Sequence, residues 1–159
     1  MRPMSIGITG HQRSPDQALP FIEAHLADVF RTYRDLRCIS SLAMGADQLF
    51  AQLALARGAA LYVVIPSENY ETTFATKPHL QQYQQLLQQA TTTETMPFAQ
   101  PSEASFLAAG KRVADLSDLL LAIWDGQAAQ GKGGTADIVA YARQQGTPVV
   151  IAWPDGVKR

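Results

Sequence analysis

The sequence DLLLAIWDGQAAQGKGGTADIV at residues 118–139 decides the fold of this chain. The run LLLAI at 119–123 is apolar throughout, which predicts a buried strand. A short loop, WDG at 124–126, follows it, and the glycine-rich segment GKGGT at 131–135 then opens a helix. Glycines let backbone N–H groups approach an anion closely, and the first turn of a helix presents unpaired N–H donors. We therefore predict a phosphate-binding loop between a strand and a helix, with a simple glycine turn and a Thr135 helix cap as the alternative.

Apolar runs and amphipathic segments alternate over the rest of the chain. Strands are predicted at 4–9, 36–42, 61–65, 91–96 and 149–152, and helices from residue 20, after residue 47, at 78–90 and at 102–116. Alternation of this kind is typical of parallel sheets with crossover helices. We expect one α/β domain over residues 1–159, with a doubly wound, mostly parallel Rossmann-like sheet of about six strands and helices on both faces.

The composition and net charge of the chain limit the kinds of partner that it is expected to bind. A chain of 159 residues with 47% hydrophobic residues can bury one core, and its 13 basic and 14 acidic side chains give a net charge of −1. From this near-zero charge we expect no nucleic-acid partner and no binding to a membrane surface. The single cysteine, Cys38, lies in an apolar run and is expected to be a buried, unreactive thiol. We expect a cytoplasmic protein without a metal site.

Glycine and polar residues follow four of the predicted strands, namely the first, second, third and fifth. Because the carboxyl ends of parallel strands lie at one edge of a sheet, these loops should meet where open α/β sheets bind their ligands. We predict a nucleotide-like ligand, with no certain cofactor, and the following contact residues: Gly10, His11, Arg13, Gly45, Ala46, Asp47, Asp125, Gly126, Gly131, Lys132, Gly133, Gly134 and Thr135.

Each charged side chain in this set also has a structural alternative. Asp125 either accepts hydrogen bonds from ribose hydroxyls or caps its own loop, and Asp47 either binds ribose or stabilises a helix dipole. Arg13 suits a phosphate and His11 a base or a phosphate, unless both are surface-loop residues without a ligand. Lys132 either neutralises a phosphate or is solvated.

An aromatic segment follows the third strand. Tyr70 and Phe74 in this segment either cover a bound base as a lid or pack against their own domain.

The motifs together resemble a known family. ITGH at 8–11, SLAMGAD at 41–47, WDG at 124–126 and GKGGT at 131–135 are similar to the Rossmann-like SLOG superfamily, which unites the Smf/DprA proteins with the Lonely Guy phosphoribohydrolases. The resemblance covers nearly the whole chain. It implies a parallel Rossmann-type sheet, a nucleotide or nucleotide derivative as ligand, and a homodimer or higher homo-oligomer. The Lonely Guy motif PGGxGTxxE ends in a catalytic glutamate, and Ile138 occupies that position here.

Three function classes follow from these observations. The first is a protein that binds a nucleotide or a nucleotide derivative, such as a nucleotide sugar or an ADP-ribose-like molecule. The second is a nucleotide N-glycosidase that uses Asp125, Glu68 or Glu71 in place of the missing glutamate, since this cleavage needs a carboxylate near the anomeric carbon. The third is DNA binding of the DprA kind, which we do not expect because the sequence contains no basic patch.

Overall fold

The computed structural model describes residues 2–128 and 134–158. Within these ranges the chain forms six strands: β1 (Met4–Gly10), β2 (Leu36–Ser40), β3 (Ala60–Ile65), β4 (Thr92–Thr95), β5 (Leu119–Ile123) and β6 (Val149–Ile151). The α-helices are α1 (Leu19–Thr32), α2 (Ala46–Ala56), α3 (Lys77–Gln88), α4 (Glu103–Leu116) and α5 (Thr135–Gln144). Short 3-10 helices precede α1 and α3, at Asp16–Ala18 and Tyr70–Thr73.

The six strands form one sheet in the order β4-β3-β2-β1-β5-β6. Every neighbouring pair runs parallel, from β1 against β2 and β5 out to the edge strands β4 and β6. The chain moves outward from β1 to β4 and then returns to the other side of β1 as β5. The predicted α/β fold is therefore confirmed, and the strand order reverses between β1 and β5, where folds of this type place a ligand crevice.

Apolar residues of β5 pack on both faces of the sheet, which explains its continuous apolar sequence. Leu119, Leu121 and Ile123 belong to a core shared with α1 and α2. Leu120, whose side chain points to the other face, belongs to a core shared with α4 and α5. The middle of the sheet is thus covered by helices on both sides.

Cys38 lies in β2 within the core that α1 and α2 cover. It is fully buried, and burial raises the pKa of its thiol to about 12. A thiol with this pKa carries almost no thiolate at neutral pH, so the expectation of an unreactive side chain agrees with the structure.

The helix α4 begins with a capping box. Ser102 Oγ accepts the N–H of Ser105, and the Ser105 hydroxyl oxygen accepts the N–H of Ser102. These paired bonds satisfy two donors that a helix start otherwise leaves without partners. They fix the first turn of α4, whose next turns face the carboxyl ends of the central strands.

Among the described residues, no helix combines the length and apolar character needed to cross a bilayer.

Candidate functional site

A cleft of about 690 Å³ opens at the carboxyl ends of the central strands. This volume is within the range of about 300–1,000 Å³ that is usual for small-molecule sites. The described residues around it come from the end of β1, the segments after β1, β2 and β3, and the helices α2, α4 and α5: Ile8, Thr9, Gly10, His11, Gln12, Arg13, Ser41, Ala43, Met44, Asp47, Pro66, Tyr70, Thr73, Phe74, Phe106, Ala109, Gly110, Val113, Gly134, Thr135 and Ile138.

Close backbone packing joins the loops after β1 and β2. Gly45 has φ +87°, and a Cβ at this residue would lie 2.2 Å from the carbonyl oxygen of Gln12. The backbone N–H of Ala46 donates to the carbonyl of His11 at 3.2 Å. A Cβ at Gly10 would lie 2.6 Å from the Cβ of Ala46. These glycines therefore let two loops touch, and the space in front of them is occupied by the protein itself.

His11 and Asp125 join the loops after β1 and β5. The backbone N–H of Asp125 donates to His11 Nε2 at 3.1 Å, and Asp125 Oδ1 lies 3.3 Å from the same nitrogen. Both the backbone N–H and the carboxylate of Asp125 thus lie against the same ring nitrogen of His11. The indole of Trp153 packs edge-on against the imidazole at 5.4 Å between ring centres. The pair holds the two central loops together beside the cleft.

Asp125 also closes its own loop, because its Oδ1 accepts the backbone N–H of Gln127 at 3.0 Å. This is the loop-capping geometry that the sequence left open as an alternative. Gly126 has φ +86°, which suits a glycine at the turn that follows.

Asp47 is a buried carboxylic acid in the wall of the cleft. It lies in the first turn of α2, is only 8% exposed, and accepts the backbone N–H of Ala43 on Oδ2 at 3.4 Å. Further hydrogen bonds from Ser40 and Ser41 lower its pKa, but burial has the larger effect and raises the pKa of Asp47 to about 7. The loop donors thus offset only part of the cost of burying this charge.

Three aromatic rings pack together at the cleft, and two of them, Tyr70 and Phe74, line it. Phe74 stacks on Tyr83 with ring centres 4.8 Å apart, and Tyr70 packs edge-on against both rings at 5.4 Å. Tyr70 and Phe74 both line the cleft, while Tyr70 is also 96% hidden from solvent by its own domain. The two alternatives for this segment are therefore compatible, since the same rings serve the core and the cleft.

A further part of the lining consists of apolar residues on α4 and α5, whose sequence pattern did not mark them as site residues. Phe106, Ala109 and Val113 reach the cleft from α4. A Cβ at Gly110 would lie 2.4 Å from Cδ1 of Ile138, so this glycine lets the two helices approach each other. An isolated glycine inside a helical pattern was the available signal for this contact. The other residues look like ordinary core positions in the sequence.

Six of the predicted contact residues line the cleft: Gly10, His11, Arg13, Asp47, Gly134 and Thr135. Of the remainder, Gly45, Asp125 and Gly126 lie in the adjoining loops and Ala46 begins α2, and none of these four lines the cleft. Gly131, Lys132 and Gly133 lie outside the described residues. Gly134 caps α5 in an extended conformation, with φ −72°.

The candidate catalytic carboxylates lie outside the described lining of the cleft. Glu68 and Glu71 are exposed, and Asp125 lies in the loop after β5. Ile138, at the position of the Lonely Guy glutamate, is in that lining. In residues 2–128 and 134–158, no group of three or more His, Cys, Asp or Glu side chains is arranged to hold a metal ion.

Comparisons with known proteins place this fold in context. A model of the family described as DNA recombination-mediator protein A matches residues 2–159. No curated protein sequence matches the chain.

Three solved structures are similar to this fold. DNA processing protein A from Helicobacter pylori, described with a unique single-stranded DNA binding mode, has a TM-score of 0.69 at 19% identity, with 94% of this chain and 65% of that chain covered. DNA processing protein A from Streptococcus pneumoniae has a TM-score of 0.69 at 19% identity, with 94% of this chain and 50% of that chain covered. The molybdenum cofactor binding protein from Rippkaea orientalis has a TM-score of 0.60 at 18% identity, with 95% of this chain and 77% of that chain covered. The chain thus spans 65% and 50% of the two DNA processing protein A structures.

These findings correct the expectation that nucleic acid is not a partner. That expectation is wrong, because the matching family is one of DNA recombination mediators and a similar structure is described as binding single-stranded DNA. The error has a physical cause. A net charge of −1 sums the whole surface, whereas binding depends on the few charges near one cleft. The family and the shared fold together support a ligand-binding Rossmann-like protein.

Proposed function

The chain belongs to the DNA recombination-mediator protein A family, and from this premise we propose that its cleft binds a nucleotide unit. One observation carries the proposal, namely the position and composition of the cleft. It lies where the strand order reverses, and its lining combines aromatic rings with Arg13 and the start of α5. A nucleotide has the matching division into a flat base and an anionic phosphate.

The phosphate belongs with Arg13 and the start of α5. Gly134 and Thr135 at that helix start line the cleft, as Arg13 does, and α5 is ten residues long. The N-terminus of a helix carries partial positive charge, and a guanidinium can bind two phosphate oxygens at once. Asp47 lies in the same cleft, and its carboxylate repels a phosphate. The phosphate is therefore oriented away from Asp47.

The base belongs against the aromatic side chains of the lining. Phe74 and Phe106 both line the cleft and pack against the same apolar cluster. Stacking of a base on an aromatic ring stabilises binding by about 1–3 kcal/mol. The apolar surfaces of Val113 and Ile138 extend the same wall.

The nucleotide unit is either a free nucleotide or one unit of a single DNA strand. The family and the description of the Helicobacter pylori structure favour the strand as a second form of the ligand. The two forms differ in how salt affects binding. A strand that contacts several cationic groups loses affinity steeply as salt increases, whereas a single nucleotide with one phosphate contact loses little.

We would measure binding of nucleoside monophosphates by calorimetry and of a fluorescent thymidine oligonucleotide by anisotropy, each at two salt concentrations. We expect Arg13→Gln to weaken binding about 10- to 100-fold, since a hydrogen bond to a charged group contributes about 1.5–3 kcal/mol. Arg34→Gln is the matched control, because Arg34 is exposed near the end of α1 and is absent from the described cleft lining. Equal effects of the two substitutions, or no binding of either ligand by the parent protein, would contradict the proposal.

A further inference from the structure

Trp153 contacts a residue of the cleft without being part of the described lining itself. The chain leaves β6 through Ala152, whose backbone N–H donates to the carbonyl of Ala122 at 2.9 Å, and then reaches Trp153. The indole stands perpendicular to the imidazole of His11, with an angle of 88° between the rings and 5.4 Å between their centres. His11 lines the cleft. An effect of Trp153 on a bound ligand would therefore pass through this residue.

The indole is itself held in place. Its Nε1–H donates to the carbonyl of Val157 at 2.7 Å, so the turn over residues 153–157 closes on the ring. Trp153 and Val157 also pack against the core that α1 and α2 share. Because packed side chains leave little free volume, an indole fixed in this way restricts rotation of the imidazole beside it.

The imidazole of His11 has a contact that its backbone does not make. The backbone N–H donates to the carbonyl of Ile123 at 3.1 Å, and the backbone carbonyl accepts the N–H of Ala46 at 3.2 Å. The ring instead places Nε2 at 3.1 Å from the backbone nitrogen and 3.3 Å from Oδ1 of Asp125. Rotation of the ring would thus break the contact with Asp125 and leave the backbone of His11 in place.

The loop after β5 depends on the position of Asp125. Asp125 Oδ1 accepts the N–H of Gln127 at 3.0 Å, and the carbonyl of Gln127 accepts the Nε1–H of Trp124 at 2.8 Å. The side chains of His11 and Asp125 are each only 4% exposed, so a broken contact is costly. In the chain, this loop lies between β5 and Gly134, the lining residue beside which we place the phosphate.

We propose that Trp153 is a positioning residue of the nucleotide cleft, which acts through the imidazole of His11 on the loop after β5. This inference rests on the proposed function, since it identifies a residue outside the lining that sets the affinity for the nucleotide. With the indole in place, His11 keeps Nε2 towards Asp125. Without it, the imidazole populates further rotamers, and the apparent affinity falls with the fraction of molecules in the binding arrangement.

Calorimetry with AMP compares the parent protein with Trp153→Leu and Trp153→Phe. We expect Trp153→Leu to weaken binding about tenfold, as for the loss of one hydrogen bond. Trp153→Phe keeps a ring against the imidazole and should stay within about threefold of the parent. Phe21→Leu is the control, because Phe21 is 44% exposed on α1 outside the described lining, and it should leave the affinity unchanged. If only polymers bind, the thymidine oligonucleotide replaces AMP.

A purely structural role gives a different result. Trp153→Leu would then lower the free energy of unfolding in urea, while the folded protein would bind AMP as tightly as the parent does. That result would overturn the inference.

A double-mutant cycle tests whether the effect passes through His11. In a His11→Ala background, we expect Trp153→Leu to change the affinity by less than about twofold, because the coupled ring is already absent. The same tenfold loss in both backgrounds would overturn the assignment.

Fluorine NMR tests the coupling without a substitution at Trp153, and it decides the question even if Trp153→Leu does not fold. The chain contains two tryptophans, so labelling with 5-fluorotryptophan gives two signals, and Trp153→Phe identifies the one from Trp153. Because coupling between two sites is reciprocal, saturating AMP should shift the Trp153 signal of the parent. The shift should be lost in AMP-saturated His11→Ala protein. An unshifted Trp153 signal in the saturated parent would contradict the inference.

The outcomes distinguish this inference from the proposed function. Tight AMP binding that is insensitive to Trp153 would remove the positioning role and leave nucleotide binding standing. Absence of binding by every nucleotide and oligonucleotide would refute both.

Discussion

Replacing Asp47 by asparagine should remove a loss of stability that the parent protein shows as pH rises. Burial raises the pKa of Asp47 to about 7 in the folded protein, compared with 3.8 for an ordinary aspartate. Between these values the folded state holds a proton that the unfolded state releases. Stability from this group is therefore complete below about pH 4 and is lost as pH rises through 7.

The expected size follows from proton linkage. Each pH unit in which only the folded state is protonated lowers the free energy of unfolding by about 1.4 kcal/mol. Over the interval from 3.8 to about 7 the loss from Asp47 is on the order of 4 kcal/mol, as an upper bound. Asparagine cannot ionise and keeps one oxygen acceptor for the loop donors, so the variant should lack this loss.

Urea denaturation of both proteins at pH 4.5, 5.5, 6.5 and 7.5, at constant ionic strength, measures the effect. Other ionisable side chains of the protein contribute equally to both curves, so the informative quantity is the difference between the parent and the variant. The parent should lose stability relative to Asp47→Asn as pH rises. Asp16→Asn, at an exposed carboxylate, is the control. Parallel curves for the parent and Asp47→Asn would refute the reasoning.

Four further predictions concern packing, the cleft and catalysis. Gly45→Ala should lower the free energy of unfolding by about 3 kcal/mol or more, because its Cβ would lie 2.2 Å from a backbone carbonyl oxygen. Gly58→Ala, at φ +76° with open space around the Cβ, should lower it by only about 1 kcal/mol. Equal losses of stability in urea denaturation would contradict this. Gly134→Val should abolish nucleotide binding in a folded protein, because its side chain would block approach to the start of α5; loss of the circular dichroism of the folded state would instead show a structural role. Cys38→Ser should lower stability by about 1–3 kcal/mol and leave ligand affinity unchanged, and reduced affinity at an unchanged melting temperature is the result that would count against it. Incubation with nucleoside monophosphates should release little or no free base, because Ile138 cannot act as an acid or base; rapid release detected by chromatography would favour an enzyme, and Asp125→Asn would then test the substitute carboxylate.

Other expectations from the sequence stay predictions. The homodimer or higher homo-oligomer, the cytoplasmic location and the roles of Gly131, Lys132 and Gly133 are among them. Analytical ultracentrifugation of the purified protein would test the predicted oligomeric state.

Local sequence patterns were sufficient to predict the order of strands and helices and the edge of the sheet where the candidate site lies. Local periodicity carries this information, because a buried strand such as β5 needs a continuous apolar run and an amphipathic helix such as α4 needs a repeating one. The glycines and polar residues after β1, β2 and β5 marked the strand ends. Since all strands run parallel, marking the ends was enough to bring these loops to one rim.

Only the tertiary structure decided which of these residues face the cleft. Gly45 looked like a contact for phosphate, yet it makes room for a neighbouring loop. Asp47 was predicted as a ribose contact or a helix-dipole charge, and the structure shows that it is buried with a raised pKa. Phe106 and Ile138 looked like core residues, yet they line the cleft. Burial, close approach and the position of a helix over a sheet depend on contacts between segments far apart in the chain, so a local pattern cannot determine them.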